Sequence, residues 1–477
     1  MPRDQAADAS QERRAPHRRR RATQLARLFD GMIAAAGRGG FAGASVSAVI
    51  EAAGVSRPTF YEYFENREAC FAATLTHVHE QLLAAVEDAL ASASPQTALA
   101  DAIEATTAFA AAHPAEARFL MKESLAGGPA ALQIRDRGIA EVAGRVEAVL
   151  DRASGRAEVA DVPVAAVIGA VHRMLAVRLR RSETAFAELG RELVQWLSSY
   201  STAAAKQSWR VLDPLPAPER SPYLMPPAMR APEPLSPGRQ PLSKEQIAEN
   251  HRQRIMFATA RAVQEHGYNA VTVAMIMKLA GLDGRAFYRL FSDRADAFTA
   301  IHELGFQYLM AATAGAFFAR DSWPERVWEG FRAATQSIDD TPAFAHVGFV
   351  DAYAVGPTAI QRVEDSRIAF TIFLREGYRC MNPAGPAPSR VALEAIITTI
   401  FEIIYLAARE TPAPQTELLL GHLVHIALAP FIGVGAANAF LLTRSPRAAR
   451  STGRKAKATP SGPGREQPVQ RTRRKPR

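Results

Sequence analysis

Ser56-Arg57-Pro58-Thr59-Phe60-Tyr61-Glu62-Tyr63-Phe64 gathers hydroxyls, a guanidinium and two phenols into a short stretch, with Arg67 just beyond it. Those groups suit hydrogen bonding to an oxygen-rich polyanion. Phe60 and Phe64, at i and i+4, predict a short helix that buries both rings and leaves Arg57, Thr59, Tyr61, Glu62 and Tyr63 outside. Ser56 can cap this helix, and Pro58 in its first turn costs little because an N–H there has no helical partner. N-terminal amides and the helix dipole favour phosphate, hydroxyls can donate to phosphate oxygens, and such a helix fits a DNA major groove. Glu62 could instead accept from a cytosine amino group.

Two further helices must hold this one in place. Leu25, Leu28, Phe29, Met32 and Ile33 recur at helical spacing and stop at Gly37, Gly39 and Gly40. Ser45 or Ser47 can cap a second, short helix with Val46, Val49, Ile50 and Ala53 facing inward, and Gly54 supplies the tight turn into the third. The run from Gly54 to Glu68 resembles the DNA-reading signature of the tetracycline-repressor-like (TetR) family in its small-residue turn, its Tyr-x-x-Phe core and its following Arg-Glu. The resemblance implies that Arg57, Thr59, Tyr61 and Tyr63 contact bases or phosphates and that Arg67, opening a fourth helix, holds a backbone phosphate. Ser45 and Ser56 join this candidate DNA-facing set.

The pattern occurs twice. At an offset of 227, Gly40-Phe41 falls on Gly267-Tyr268, Ser45-Val46 on Thr272-Val273, Phe60-Tyr61 on Phe287-Tyr288, Phe64 on Phe291 and Arg67 on Arg294; at 228, Glu123 falls on Asp351 and Gly128-Pro129 on Gly356-Pro357. In the second copy Asp283, Gly284, Ala286 and Leu290 replace Ser56, Arg57, Thr59 and Tyr63. Asp caps a helix as Ser does, yet its charge lies where a phosphate must approach. Thr272, Arg285, Tyr288, Arg289 and Arg294 are the candidate DNA contacts there, and the first copy is expected to dominate.

These readings give an all-α chain with the divisions 1–21 (disordered basic arm), 22–70 (first helix-turn-helix), 71–206 (first helical effector and dimerisation domain), 207–243 (linker), 244–297 (second helix-turn-helix), 298–445 (second effector domain) and 446–477 (disordered basic tail). The linker rests on ten prolines between Leu212 and Pro241, which forbid continuous helix. The net charge of +9 is concentrated at the end: Pro446–Arg477 carries +10, and the other 445 residues sum to −1. Met1–Arg21 sets seven Arg against Asp4, Asp8 and Glu12. Neither terminus has the apolar residues needed to offset the entropy of folding.

The resemblance further implies a ligand pocket and two dimerisation helices in each half. Val162–Arg181 with Glu183–Lys206, and Ser389–Arg409 with Thr416–Leu442, read as apolar-faced helices able to form one four-helix bundle. Phe109, Phe119 and Met121 in one half, and Phe331, Phe344, Phe349, Tyr353, Phe370 and Phe373 in the other, are candidate pocket or core residues, with no ligand residue assigned. Leu418–Leu442 is long enough for a membrane span, but His422, His425, Pro430, Gly433, Gly435 and Asn438 within it favour a buried interface helix.

Cys70 and Cys380 make no disulfide framework, and the charged N-terminus lacks the apolar core of a secretory signal, so a cytoplasmic, nucleoid-associated location is expected. No nucleotide loop, catalytic triad or paired-carboxylate pattern is present, and His77-x-His79 and His422-x-x-His425 lack metal-site neighbours; no cofactor, no metal and no enzymatic activity are expected. The expected partners are double-stranded DNA and a small apolar ligand, with no membrane, and the expected function is that of a ligand-responsive repressor in the form of a monomeric pseudo-dimer or a homodimer. The rival readings are a helical adaptor that has lost DNA binding and, further off, an enzyme.

Overall fold

The computed structural model describes residues 3–152, 158–203, 229–236, 242–381, 386–410 and 415–444. The tail Pro446–Arg477 and most of the Pro-rich linker lie outside these residues.

The first helix-turn-helix comprises α1 (Arg3–Gly43), α2 (Val46–Ala53) and α3 (Arg57–Tyr63). The long α1 corrects the expectation of a disordered arm: Arg3–Arg21 is helical, because Ala, Gln, Glu and Arg are good helix formers continuous with the apolar-faced run that follows. Regular helix breaks at Gly40, whose φ of 65° is one that other residues rarely adopt. Ser45 caps α2 through the Ala48 N–H and Ser56 caps α3 through the Thr59 N–H, while Gly54 makes the left-handed turn between them. Arg27 on α1 donates to the Gly54 carbonyl at 2.6 Å and pins that turn.

The first effector domain follows as α4 (Arg67–Leu90), α5 (Ala98–Ala112), α6 (Pro114–Arg118), a π-helical turn (Phe119–Glu123), α7 (Ser124–Ala126), α8 (Pro129–Leu150), α9 (Val164–Arg180) and α10 (Phe186–Ser198). A three-residue antiparallel pair, β1 (Glu158–Ala160) with β2 (Ser201–Ala203), ends α10 earlier than the expected Lys206.

The second unit repeats the plan. A capping box of Ser243 and Gln246 opens α11 (Lys244–His266), and a break at Gly267 leads to α12 (Val273–Ala280) and α13 (Gly284–Leu290). Its effector domain runs through α14 (Arg294–Phe317), α15 (Trp323–Asp340), α16 (Pro342–Ala345), a second π-helical turn (His346–Asp351), α17 (Ala352–Val355), α18 (Pro357–Ala369), α19 (Ile372–Arg375) and α20 (Arg390–Glu410). It closes with α21 (Leu420–Ile432) and α22 (Val434–Leu442). The apolar run read as one helix is therefore broken, at Gly433 with φ 83°.

The two units meet where α20 packs on α9 and α10 and where α7 meets α17. α20 alone is long and apolar enough to cross a membrane among the described residues, and most of it is buried within the protein. Tyr200, fully buried after α10, donates to the Ile426 carbonyl on α21 at 2.8 Å, and accepts from Trp196 Nε1 at 3.1 Å.

Candidate nucleic-acid interface and effector cavity

In the first unit α3 is anchored by Phe60, fully buried, and Phe64, nearly so; each burial contributes about 1.5–3 kcal/mol. Arg57 and Glu62 are exposed and Tyr61 is 51% exposed, so the face expected to read DNA is open. Thr59 is half-buried with its hydroxyl 2.8 Å from that of Ser56. Tyr63 turns away from that face. Its hydroxyl lies 3.1 Å from Gln24 Oε1 and 3.2 Å from the Arg21 carbonyl, and it braces α3 against α1.

The second unit has the same frame. Thr272 caps α12 through the Met275 N–H, and Gly281 repeats the φ of Gly54. On α13, Phe287 and Ala286 are buried, whereas Arg285 and Arg289 are exposed and Tyr288 is 67% exposed. Asp283 Oδ1 accepts the Arg285 N–H at 2.8 Å. The second recognition helix thus offers two guanidinium groups and a phenol, with a carboxylate at its entry.

Arg67 opens α4, as expected, and Arg294 opens α14, and each guanidinium stacks on an aromatic ring, a contact the sequence reading did not include. The Arg67 guanidinium lies 4.4 Å from the Phe41 ring centroid and 2.7 Å from Glu68 Oε1. Arg294 lies 4.3 Å from the Tyr268 centroid and donates to the Val271 carbonyl. Both are half-buried against the aromatic that follows the α1 or α11 break. The signal was present in the sequence: Phe41 and Tyr268, like Arg67 and Arg294, are separated by the repeat offset.

Each effector domain encloses an apolar cavity. The larger lies in the second, about 50 Å³, lined by Phe344, Phe349, Phe370, Leu309, His302 and others. Phe331, Tyr353 and Phe373 are core residues outside it. Met229, from the linker, also lines this cavity and is 8% exposed, and the Glu233 backbone carbonyl, four residues on, accepts from Asn250 Nδ2 on α11 at 3.2 Å. Burial, followed by the charge of Arg362, pushes His302 down to about 4, so a neutral imidazole faces the cavity at pH 7. In the first unit the corresponding space is about 30 Å³, between His79, Arg135, His172 and apolar side chains; Phe109, Phe119 and Met121 pack elsewhere in the core.

The contact between units carries a feature invisible in the sequence. Glu402 on α20 is fully buried and paired with Arg135 on α8 at 2.8 Å and with Arg173 on α9. Arg173 also lies 4.6 and 4.7 Å from the Tyr353 and Tyr405 ring centroids. Gly169 makes room for this carboxylate, since a Cβ there would stand 2.5 Å from Glu402 Oε1. Around this core, Asp136 accepts from the Tyr405 hydroxyl at 2.9 Å and pairs with Arg409, and Arg178 pairs with Glu394 at 3.0 Å.

Among the described residues no group of three His, Cys, Asp or Glu is arranged to hold a metal. His79 pairs with Glu141 at 2.9 Å, and His425 meets the Asp161 carbonyl at 3.2 Å. Cys70 is fully buried, and burial pushes its thiol up to about 12, which leaves no thiolate at neutral pH.

The family model described as bacterial regulatory proteins, tetR family, matches twice, at residues 30–74 and 255–301. No curated protein matches the chain. Among solved structures, the fatty acid degradation regulator FadR from Bacillus halodurans is 16% identical over 37% of this chain and 94% of its own, with a TM-score of 0.34. A regulatory protein in the tetR family from Rhodococcus RHA1 is 20% identical over 40% of this chain and 99% of its own, at 0.32. The transcriptional regulator FadR from Bacillus subtilis, solved in complex with stearoyl-CoA, is 15% identical over 38% and 98%, also at 0.32.

Proposed function

We propose, from the premise that this chain belongs to the tetR family of bacterial regulatory proteins and carries two units of it in tandem, that it is a ligand-responsive repressor in which one polypeptide supplies both halves of the DNA-binding dimer. The observation that carries the reading is the exposed α3 surface of Arg57, Tyr61 and Glu62, held on a capped helix-turn-helix and repeated in altered form on α13. The pairing of unlike units through Glu402, Arg135 and Arg173 supports intramolecular dimerisation. Its setting is the cytoplasm, on the nucleoid. Recovery of bound DNA from cells tests the function; no enriched sites sinks it. Light scattering tests the architecture: a single 51.7 kDa chain is expected, and a stable dimer of chains overturns it.

The second effector cavity is the proposed ligand site, and its apolar lining suits the hydrocarbon chain of a ligand. At about 50 Å³ it is well below the several hundred Å³ of a usual ligand pocket, and Met229 occupies part of its wall. An occupant must displace Met229. Met229→Ala is therefore expected to tighten binding of dodecanoic acid, followed by calorimetry, by roughly tenfold, equivalent to about 1.4 kcal/mol of displaced contact. Unchanged affinity would show that Met229 does not guard the cavity.

A further inference from the structure

The same hydrogen bond joins effector domain to helix-turn-helix in both units. Phe41 N–H donates to Glu123 Oε2 at 2.9 Å, and Tyr268 N–H donates to Asp351 Oδ1 at 3.0 Å. Each donor follows the glycine that breaks the first helix, Gly40 with φ 65° or Gly267 with φ 71°, so its amide has left the helical ladder and needs a partner. Each acceptor is the last residue of a π-helical turn and is at least nine-tenths buried. Phe has become Tyr and Glu has become Asp between the copies, while the bond itself is kept. The ring of the same donor residue carries the stacked guanidinium of Arg67 or Arg294, the first residue of α4 or α14. One aromatic residue is thus held from the effector side through its backbone and holds the next helix through its ring.

In the second unit the π-helical turn also forms cavity wall, through Val347, Gly348 and Phe349. We propose that Asp351, and Glu123 in the first unit, are positioning residues that transmit the state of the effector domain to the helix-turn-helix through the Tyr268–Arg294 and Phe41–Arg67 pairs. This rests on the cavity reading above. A movement of the π-helical turn shifts the carboxylate, the carboxylate shifts the amide at the glycine break, and the stacked arginine carries the change into the helix that supports the recognition helix. π-helical turns are rare, recur at functional sites and hold their side chains out of α-helical register.

The test needs no ligand. Gly348 lies in the cavity wall and a Cβ there meets nothing within 4 Å, so Gly348→Met adds a side chain to the π-helical turn without a clash at its Cβ and alters that wall. Hydrogen exchange of the full chain would be read over 268–291, with 41–64 as internal control. Asp351→Ala is expected to speed exchange at the Tyr268 amide by about tenfold or more, the effect of removing a buried acceptor, and Asp351→Asn, which retains an acceptor oxygen, to restore most of the protection. Gly348→Met alone is expected to change exchange across 268–291, and to have no further effect in the Asp351→Ala background. Should Asp351→Ala unfold the domain, Asp351→Ser takes its place in the same cycle.

An equal effect of Gly348→Met with and without Asp351, no effect of Gly348→Met on 268–291, or unchanged exchange at Tyr268 in the Asp351 variants would each overturn the proposal. A merely structural role for Asp351 would lower stability yet leave the Gly348→Met effect in place. The readout contains no DNA and no dodecanoic acid, so failure of the repressor or ligand reading appears separately, in operator binding and calorimetry.

Discussion

Glu402→Ala is expected to destabilise the full chain by about 3–5 kcal/mol, the usual consequence of removing one partner from a buried ion pair. Arg135 keeps Asp136 at 2.8 Å, but Glu402 is the only carboxylate paired with Arg173 among the described residues. The cost therefore falls chiefly on Arg173, left charged between two tyrosine rings. Denaturant unfolding of wild type and variant measures it, and a loss under about 1 kcal/mol would mean that water reaches the pair as at a surface salt bridge. Glu402→Leu combined with Arg173→Leu is expected to recover most of the loss, because no unpaired charge is then buried. Burial by itself would raise the Glu402 carboxyl, but Arg135 and Arg173 outweigh it and hold it below its ordinary value of 4.5. A depressed carboxylate stabilises the fold above its unfolded value, and that contribution is lost as pH falls through the folded one. The difference between wild type and Glu402→Ala should thus be complete at pH 7 and shrink only below pH 4.5.

Arg57→Ala and Tyr61→Ala are each expected to weaken operator binding by roughly ten- to a hundredfold, since a charged or base-directed contact in a groove is worth about 1.5–3 kcal/mol. Arg285→Ala and Tyr288→Ala should each cost less. Both recognition helices expose a guanidinium and a phenol, but Asp283 places a carboxylate beside Arg285 at the point where phosphate approaches, and Ser56 places none beside Arg57. The operator is accordingly expected to have one strong half-site and one weak one. Binding titrations at fixed salt decide the matter, because salt alone shifts such affinities by orders of magnitude. Equal losses from the two pairs, or a perfect palindrome recovered from cells, would show that α13 reads DNA as well as α3.

The helix-turn-helix was legible because its determinants are local. Ser45, Ser56, Thr272 and Asp283 cap within three residues, Gly54 and Gly281 turn in place, and Phe60 with Phe64 marks the buried face. The stacking of Arg67 and Arg294 was not legible, because their ring partners lie 26 residues upstream and are joined to them only by folding. The alignment of Glu123 with Asp351 was visible as a repeat. Its meaning was not, since the partner is a backbone amide more than 80 residues away. The charged N-terminus misled for the opposite reason: its charge pattern resembles that of an unfolded arm, while its residue types propagate helix from the apolar segment behind it.

Gly169 and Glu402 fit as key and keyhole, and a lock of that kind has a direction. A second copy of the latter half, set in place of the former, would by the repeat offset of 228 bring Val363 where Arg135 stands and Phe401 where Arg173 stands, and leave Glu402 without either guanidinium. A second copy of the former half would set guanidinium groups against each other with no carboxylate between them. Neither half can now stand in for its twin.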